Sequence, residues 1–114
     1  MRDSIQLSLP PAEMRALAEV RRQLGRHHEV EQLILFGSMV RGEGDDESDV
    51  DILVITKKPL NRWERHEITD LVCEINLRYG SNLSTLVVDH KSWERGPVSF
   101  LPIKDEIEKE GMLL

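Results

Sequence analysis

The pattern of apolar and polar positions along the chain predicts three strands. Residues 33–36 form a short continuous apolar run, which is typical of a strand buried on both faces. Residues 50–55 form a second apolar run, rich in β-branched side chains, that ends near Pro59, and residues 83–88 form a third. These three runs are the predicted strands of a small sheet.

Apolar residues at helical spacing predict a first helix before these strands. Ser8, Pro10 and Pro11 resemble a helix start, because proline is tolerated in the first turn, where its missing N–H would have no partner. A helical period then runs up to Gly25, and the residues that keep it, with one arginine among them, are Met14, Leu17, Ala18, Arg21 and Leu24.

Two further helices are predicted in the second half of the chain. Asn61 is a candidate cap for the first of them, and Gly80 is a natural C-terminal stop. Between them an apolar face repeats at helical spacing, formed by Ile68, Leu71, Val72, Ile75 and Tyr79. The amphipathic segment 103–110, with Ile103 and Ile107, predicts the last helix.

The order of these elements is helix, strand, loop, strand, helix, strand, helix. It predicts an α+β fold, an α/β sandwich in which one small mixed sheet of about three to five strands is flanked by helices. A length of 114 residues matches a single domain over residues 1–114.

Charge and composition exclude several classes of protein. The formal net charge is -6, whereas a protein that neutralises many phosphates needs a basic surface, so we expect no direct nucleic-acid binding. No stretch approaches the roughly 18 apolar residues of a membrane span, and no apolar leader precedes Leu9. The single cysteine, Cys73, cannot form an internal disulfide, which fits a reducing compartment. We therefore expect a cytoplasmic protein with no membrane association.

Two acids at the start of the second strand are candidate metal ligands. Asp49 and Asp51 are two residues apart, so strand geometry puts both carboxylates on one face with Cα atoms about 6.6 Å apart. The repulsion between them favours solvent exposure or a bound cation, and Mg²⁺ prefers carboxylate oxygens together with substrate phosphates. On spacing alone, an Asp-rich turn at a strand edge is an equally good interpretation.

A glycine-serine pair at the end of the first strand is a candidate phosphate site. Gly37 lets the backbone come close to a ligand, and the first N–H groups of a short helix after it would face a phosphate, with the hydroxyl of Ser38 beside them. Arg41 lies about one turn along, where its guanidinium can assist the phosphate or hold the loop by ion pairs. An anion cradle opposite two carboxylates is what a metal–nucleotide complex requires.

These motifs resemble the minimal nucleotidyltransferases, a branch of the DNA polymerase β superfamily related to MntA-like antitoxins. The resemblance covers residues 33–56 and depends on a glycine-serine pair, ten intervening residues and an Asp-x-Asp motif. The segments that match are Leu35-Phe36-Gly37-Ser38, Arg41-Gly42 and Ser48-Asp49-Val50-Asp51-Ile52-Leu53-Val54. The tail Ile103 to Leu114, with its Glu-Gly pair, is also similar to short members of the group.

The resemblance implies a polymerase β-like nucleotidyltransferase fold and a transfer reaction. Gly37 and Ser38, with Arg41, would bind the phosphates of a nucleoside triphosphate, expected to be ATP. Asp49 and Asp51 would be the catalytic carboxylates and would bind Mg²⁺ or Mn²⁺. The product would be a nucleoside monophosphate, AMP in the expected case, joined to an acceptor hydroxyl.

One position departs from the family pattern. Active members usually add a third carboxylate from a later strand, but the matching strand has Ser84, with Thr85 beside it, where an acid is expected. Asp89 follows five residues later, about 16 Å along a strand, and is better interpreted as a turn residue that closes the strand with His90. This departure makes turnover uncertain but affects nucleotide binding much less.

The resemblance also implies a partner. Short members of the family are often encoded beside a helical HEPN-type protein, which is an RNase toxin in several systems. In those systems the nucleotidyltransferase is the antitoxin, and it acts by masking the toxin or by adenylylating it. A domain without room for an acceptor-binding lobe must find its acceptor elsewhere, and an acidic protein suits a basic RNA-binding partner. The alternatives are a catalytically weakened nucleotide-binding domain that inhibits its partner by contact only, and a monomer or homo-oligomer such as a homodimer with an unrelated acceptor.

The remaining candidates receive structural interpretations. His27, His28 and His66 lie in polar contexts without ligand partners at suitable spacing, so they are expected at the surface. Cys73 flanks an apolar helix face and is expected in the core. Trp63 and Trp93 could be packing anchors or interface residues, and the sequence does not separate the two roles.

Overall fold

A computed structural model describes residues 2–3, 9–27, 29–42 and 49–114. Within these ranges the strands are β1 (Arg2–Asp3), β2 (Val30–Phe36), β3 (Val50–Thr56), β4 (Leu83–Asp89) and β5 (Met112–Leu113). The helices are α1 (Pro11–Leu24), α2 (Ser38–Arg41), α3 (Arg62–Tyr79), α4 (His90–Arg95) and α5 (Pro102–Glu110), with a 3-10 helix at Pro97–Phe100.

One five-stranded sheet organises these elements, in the order β1-β5-β2-β3-β4. β2 pairs antiparallel with β3 and with β5, whereas β3 pairs parallel with β4 and β1 pairs parallel with β5. The parallel crossover from β3 to β4 is made by α3, as such connections require. The expected α+β sandwich with a mixed sheet is therefore confirmed.

Alternating residues of β3 pack on opposite sides of the sheet and divide the core in two. Val50, Ile52 and Val54 belong to the larger cluster, which also contains the buried residues of α1 and α3. Leu53 and Ile55 belong to the smaller cluster with Trp93 of α4, Ile107 of α5, Ile34 and Val88. The second side carries the candidate site, since Asp51 has the same parity as Leu53.

Local sequence signals explain where α3 begins and ends. The side chain of Asn61 accepts a hydrogen bond from the N–H of Glu64 at 2.9 Å, and the Glu64 carboxylate accepts one from the N–H of Asn61 at 3.1 Å, which forms a capping box. Gly80 ends the helix with a φ of 66°, a left-handed conformation that suits glycine. The predicted cap, apolar face and stop of this helix are all confirmed.

Two of the predicted side-chain placements are wrong. Helix α1 begins at Pro11 as expected, with Ser8 outside the described residues, but its buried face consists of Glu13, Ala16, Leu17, Val20 and Leu24. Met14, Ala18 and Arg21 are exposed, because the apolar face is rotated by part of a turn toward the sheet. Cys73 is also exposed, because it follows the buried Val72 on the outer edge of α3.

The sequence pattern missed several short elements. The predicted final helix corresponds to α5, but α4, the 3-10 helix and the two short strands β1 and β5 had not been expected. Lys104 of α5 lies 5.6 Å from the ring centroid of Trp93, which joins α5 to α4. None of the helices in the described ranges combines the length and the apolar character that a bilayer crossing requires.

Candidate functional site

The site forms where the end of β2 meets the start of β3. Phe36, the last residue of β2, is paired in antiparallel register with Asp51, the second residue of β3. Gly37 and the short helix α2 follow directly, so the antiparallel pairing brings the glycine-serine turn beside the Asp-x-Asp motif. Residues 43–48, which include Ser48 of the motif and four acidic residues, lie outside the described residues.

Gly37 is required by both its backbone conformation and its surroundings. Its φ of 94° lies in the region that L side chains rarely adopt. A Cβ atom built on this residue would stand 2.3 Å from Oδ2 of Asp51, far inside van der Waals contact. The absent side chain is therefore what allows the turn and the Asp51 carboxylate to approach each other.

The turn and the carboxylate line one open pocket of about 340 Å³. Gly37, Ser38 and Arg41 form one wall, and Asp51 lies beside them. The other walls are apolar and acidic, formed by Phe36, Ile103, Glu106, Ile107 and Glu110. Four of the five residues singled out by sequence thus share a pocket, whereas Asp49 is not among the lining residues.

The two aspartates interact electrostatically. Burial raises the pKa of the Asp51 carboxyl above its usual range, and the negative charge of Asp49 raises it further. Asp49 lies immediately before β3 and is exposed, whereas Asp51 is half-buried. The pair therefore disfavours a second negative charge at Asp51 unless a cation is close.

Asp49 accepts a hydrogen bond from a residue that immediately precedes β4. The side-chain amide of Asn82 donates a hydrogen bond to Oδ1 of Asp49. The backbone of Asn82 accepts from the N–H of Val50 at 3.0 Å and donates to the carboxylate of Glu13 at 3.0 Å. The sequence analysis missed Asn82 and Glu13, because their relation to the motif depends on long-range contacts that no local pattern records.

Arg41 links the turn to the C-terminal helix. Its Nη1 lies 3.2 Å from Oε2 of Glu110 at the end of α5, and both side chains are partly exposed at the pocket edge. The ion pair joins α5 to α2. The predicted contact of Arg41 with a phosphate stays a prediction.

The sheet register shows which residue of β4 lies beside Asp51. Ser84 on β4 pairs in parallel register with Asp51, so the two residues are direct neighbours across the strands. Asp89 lies at the other end of β4, where its carboxylate caps α4 by accepting from the N–H of Ser92 at 3.0 Å. The interpretation of Asp89 as a residue that closes the strand is therefore confirmed.

The donor set fits a divalent cation that is completed by substrate. Mg²⁺ is usually held by one or two carboxylates together with phosphate oxygens, and Asp49 and Asp51 supply that number. Within the described ranges no cluster of three or more metal-ligating side chains occurs. The remaining ligands would have to come from the substrate and from water.

Glu106 and Glu110 are pocket residues that the sequence analysis did not single out. Both are on α5, and the spacing Ile103, Glu106, Ile107, Glu110 is i, i+3, i+4, i+7. This spacing identifies one helical face, so the periodicity could have placed both acids together. It could not have shown that this face turns toward Gly37 and Asp51.

The two tryptophans have different environments. Trp93 is buried in the smaller core cluster and is a packing anchor, whereas Trp63 is 78% exposed and contacts the ring of His66 edge-on.

The histidines have separate outcomes. His66 is at the surface as expected, whereas His27 is half-buried and its ring accepts a hydrogen bond from the N–H of Glu29 at 3.2 Å. The prediction for His28 lies outside the described residues.

Comparison with known proteins places this geometry in a family. A segment of 59 residues, 50% of this chain, is 48% identical to the candidate protein adenylyltransferase MJ1305 of Methanocaldococcus jannaschii. The chain spans only 40% of the length of that relative.

Two solved structures have the same fold. A structure described as a candidate minimal nucleotidyltransferase superposes with a TM-score of 0.60 and 22% identity, covering 89% of this chain and 92% of that one. A toxin–antitoxin structure with AMP-PNP gives a TM-score of 0.56 and 18% identity over 87% of this chain and 69% of that one. Finally, residues 15–113 match the nucleotidyltransferase domain family, and the chain therefore belongs to that family.

Proposed function

We propose that this domain transfers a nucleoside monophosphate, AMP from ATP, to a hydroxyl group on a partner protein, with Mg²⁺ or Mn²⁺ bound at Asp49 and Asp51. Gly37, Ser38 and Arg41 bind the triphosphate, and the partner is the toxin of a toxin–antitoxin pair, expected to be a HEPN-type protein. Family membership and the shared fold support the reaction class.

The observation that carries the proposal is the close approach of the glycine-serine turn to Asp51. A Cβ atom at Gly37 would stand only 2.3 Å from an oxygen of Asp51, so the turn can approach the carboxylate only because Gly37 has no side chain. The backbone of the turn and the carboxylate of Asp51 therefore line the same pocket. Backbone N–H groups at a helix start bind phosphate oxygens, and the carboxylate binds a cation. A metal–triphosphate complex needs both in one place.

The charge of the pocket supports a metal requirement. Its walls carry the carboxylates of Asp51, Glu106 and Glu110, while Arg41 is already ion-paired with Glu110. A triphosphate entering without a cation would meet net negative charge and be repelled. A divalent ion would offset that repulsion and would stabilise the charge that develops on the leaving phosphate oxygens.

The reaction forms a bond between the acceptor oxygen and the α-phosphorus and breaks the bond from that phosphorus to the pyrophosphate oxygen. The proton of the acceptor hydroxyl passes to solvent water, and pyrophosphate leaves with the electron pair of the broken bond. In this proposal Gly37 and Ser38 hold the departing phosphates, Asp49 and Asp51 hold the metal, and Arg41 assists the phosphates from the pocket edge. In this proposal the acceptor hydroxyl belongs to a partner protein that reaches the pocket from outside.

The choice of partner and nucleotide draws on the relatives. The name of the M. jannaschii relative describes transfer of an adenylyl group to protein, and the toxin–antitoxin neighbour was solved with AMP-PNP, an ATP analogue. A net charge of -6 favours association with a basic protein. These observations support ATP as donor and a basic protein as acceptor.

The test is a transfer assay with α-labelled ATP, Mg²⁺ and the purified product of the adjacent gene. We expect label on that protein with the wild-type chain and none with Asp49→Asn. Asp70→Asn, which makes the same charge change on the exposed surface of α3, is the matched control and should label normally. Full labelling by Asp49→Asn would overturn the proposal.

A second candidate function is inhibition of the partner by contact alone. It is favoured by Ser84, which stands beside Asp51 in the register where active family members carry an acid. In that case Asp51→Ala would still neutralise the partner in a growth assay. Loss of neutralisation by a folded Asp51→Ala variant would exclude contact-only inhibition.

A further inference from the structure

Asn82 is the centre of a hydrogen-bond chain that joins helix α1 to the Asp-x-Asp motif. Its side-chain amide donates to Oδ1 of Asp49, its carbonyl accepts from Val50 at 3.0 Å, and its N–H donates to Glu13 at 3.0 Å. The bond to Asp49 also settles the orientation of the amide, because a carboxylate accepts and only the NH₂ end of asparagine donates.

The backbone of Asn82 is fixed from two helices. On one side the Glu13 carboxylate of α1, which is only 8% exposed, accepts from its N–H. On the other side Asn76 of α3 clamps the next residue, accepting from the N–H of Leu83 at 2.9 Å and donating to its carbonyl at 3.0 Å. Asn76 also accepts from the hydroxyl of Ser81 at 2.8 Å. The turn before β4 is therefore rigid on both sides of Asn82.

Asn82 is exposed, although its backbone is hydrogen-bonded to Val50 and to Glu13. A solvated asparagine side chain contributes little to the core, so its one described side-chain bond cannot be explained as packing. The bond joins a neutral donor to an ionised acceptor, which is a stronger hydrogen bond than one between neutral groups. Its effect is to restrict the rotation of the Asp49 carboxylate.

From this geometry we propose that Asn82 is a positioning residue that orients the Asp49 carboxylate toward the metal, with Glu13 and Asn76 as the braces that hold Asn82 in place. The proposal rests on the metal-binding role of Asp49 in the proposed function and deepens it. One oxygen of Asp49 accepts from the amide, which leaves the other oxygen available to bind the cation. Partners that orient metal ligands in this way commonly alter metal affinity about 10- to 100-fold when they are removed.

The test is the affinity of the full chain for Mn²⁺ in the presence of AMP-PNP, measured by electron paramagnetic resonance without any transfer reaction. Asn82→Ala removes the side-chain amide but keeps both backbone hydrogen bonds. We expect the Kd for Mn²⁺ to rise about tenfold while the melting temperature of the metal-free protein stays within a degree or so of wild type, because the lost side chain is exposed.

Asn61→Ala is the matched control. It removes another exposed asparagine side chain, the cap of α3, which lies beyond the far end of β3 from the site. This variant should lower the melting temperature and leave the Kd for Mn²⁺ unchanged, the opposite of the pattern for Asn82→Ala.

The possible results separate the two proposals. If wild type binds no Mn²⁺ with AMP-PNP, the proposed function fails and the role of Asn82 fails with it. If wild type binds and Asn82→Ala binds equally well, only the positioning role is overturned. If Asn82→Ala loses stability and its affinity falls no more than that of Asn61→Ala, Asn82 has a structural role and the proposal is also overturned.

Discussion

The two ends of the β3–β4 strand pair place aspartates in opposite situations. At one end Asp51 faces an open pocket, and burial together with Asp49 raises its pKa. At the other end, Asp89 is paired in register with Thr56 and is 7% exposed. Burial alone would raise the pKa of Asp89, but hydrogen bonds from Ser92 outweigh it and the pKa is lowered.

The difference shows how the surroundings of a carboxylate indicate its role. At the far end the polar groups are satisfied within the chain: Asp89 caps α4, and the Thr56 hydroxyl donates to the carbonyl of Lys58 at 2.8 Å. At the near end Asp51 meets a like charge, a close glycine and a cavity. A carboxylate that is hydrogen-bonded within the chain stabilises the fold. A carboxylate whose negative charge is disfavoured by its surroundings is instead a candidate ligand for an external cation.

The largest expected effect comes from neutralising the disfavoured carboxylate. In the proposed function Asp51 is a metal ligand that supplies several kcal/mol of transition-state stabilisation, so Asp51→Asn should lower kcat/KM for nucleotidyl transfer by at least about 100-fold. The metal-free variant should nevertheless melt at a higher temperature, because its side chain is no longer a charge that burial and Asp49 oppose. Transfer assays and thermal melts at neutral pH measure the two effects, and a lower melting temperature would contradict the comparison.

Gly37→Ala should have the next largest effect. The new Cβ would meet Oδ2 of Asp51, and a non-glycine residue at this φ costs about 1–3 kcal/mol. We expect a loss of stability in that range and AMP-PNP binding, measured calorimetrically, weakened more than tenfold. Gly80→Ala is the matched control: its φ is 66° but nothing lies within 4 Å, so it should lose stability alone. Equal AMP-PNP binding by the two variants would show that the approach to Asp51 is unimportant.

Ser84→Asp should have a smaller effect of opposite sign. Paired strands lie about 4.8 Å apart, so an acid in register with Asp51 would bring a third carboxylate to the proposed metal site. We expect kcat for transfer to rise about tenfold if the metal site limits the reaction, a gain of roughly 1.4 kcal/mol. Leu86→Asp, two residues farther along the same face of β4, is the control and should give no gain. An unchanged kcat in Ser84→Asp would show that the lack of an acid beside Asp51 does not limit transfer.

The smallest effect is expected at Asp89, whose carboxylate is hydrogen-bonded within the chain, and it should be confined to the stability of the fold. Asp89→Ala removes the cap of α4 and should cost about 1 kcal/mol in the free energy of unfolding, with AMP-PNP binding unchanged. Because the pKa of Asp89 is lowered in the fold, this contribution is fully present above the ordinary carboxyl pKa of 3.8 and is lost as pH falls through the lowered value.

Melts of wild type and Asp89→Ala across pH 3 to 7 measure this effect. The difference between them should be constant at the upper end of the range and should narrow at the lower end. Asp89→Asn should keep most of the cap, since asparagine also accepts at this position, and its stability should depend less on pH. A difference that grows as pH falls would contradict the assignment of Asp89 as a charged cap.

The elements with strong local signals could be predicted from the sequence. Asn61 and Gly80 carry the capping chemistry of α3 within a few residues, and the apolar runs of β2 and β3 are buried on both faces. Cys73 was misplaced, and so was the buried face of α1, because adjacent helix positions differ by about 100° and the pattern alone did not fix which one meets the sheet.

The candidate site was predictable only in part, for the same physical reason. Gly37 and Asp51 are in local motifs, and antiparallel pairing of two consecutive strands brings them together. Asn82 is 33 residues from Asp49 in the sequence and 69 residues from Glu13. Glu110 is likewise 69 residues from Arg41. Contacts at that range depend on the packing of whole helices, which periodicity does not encode.

The contribution of α5 to the pocket has a consequence for the order of events during synthesis. Every residue of the glycine-serine and Asp-x-Asp motifs leaves the ribosome more than 50 residues before Ile103, Glu106, Ile107 and Glu110, which complete the walls. β5 then enters the sheet between β1 and β2. A nascent chain that already contains the whole motif therefore still lacks the walls of the candidate pocket, and the domain acquires them only when translation has passed Glu110.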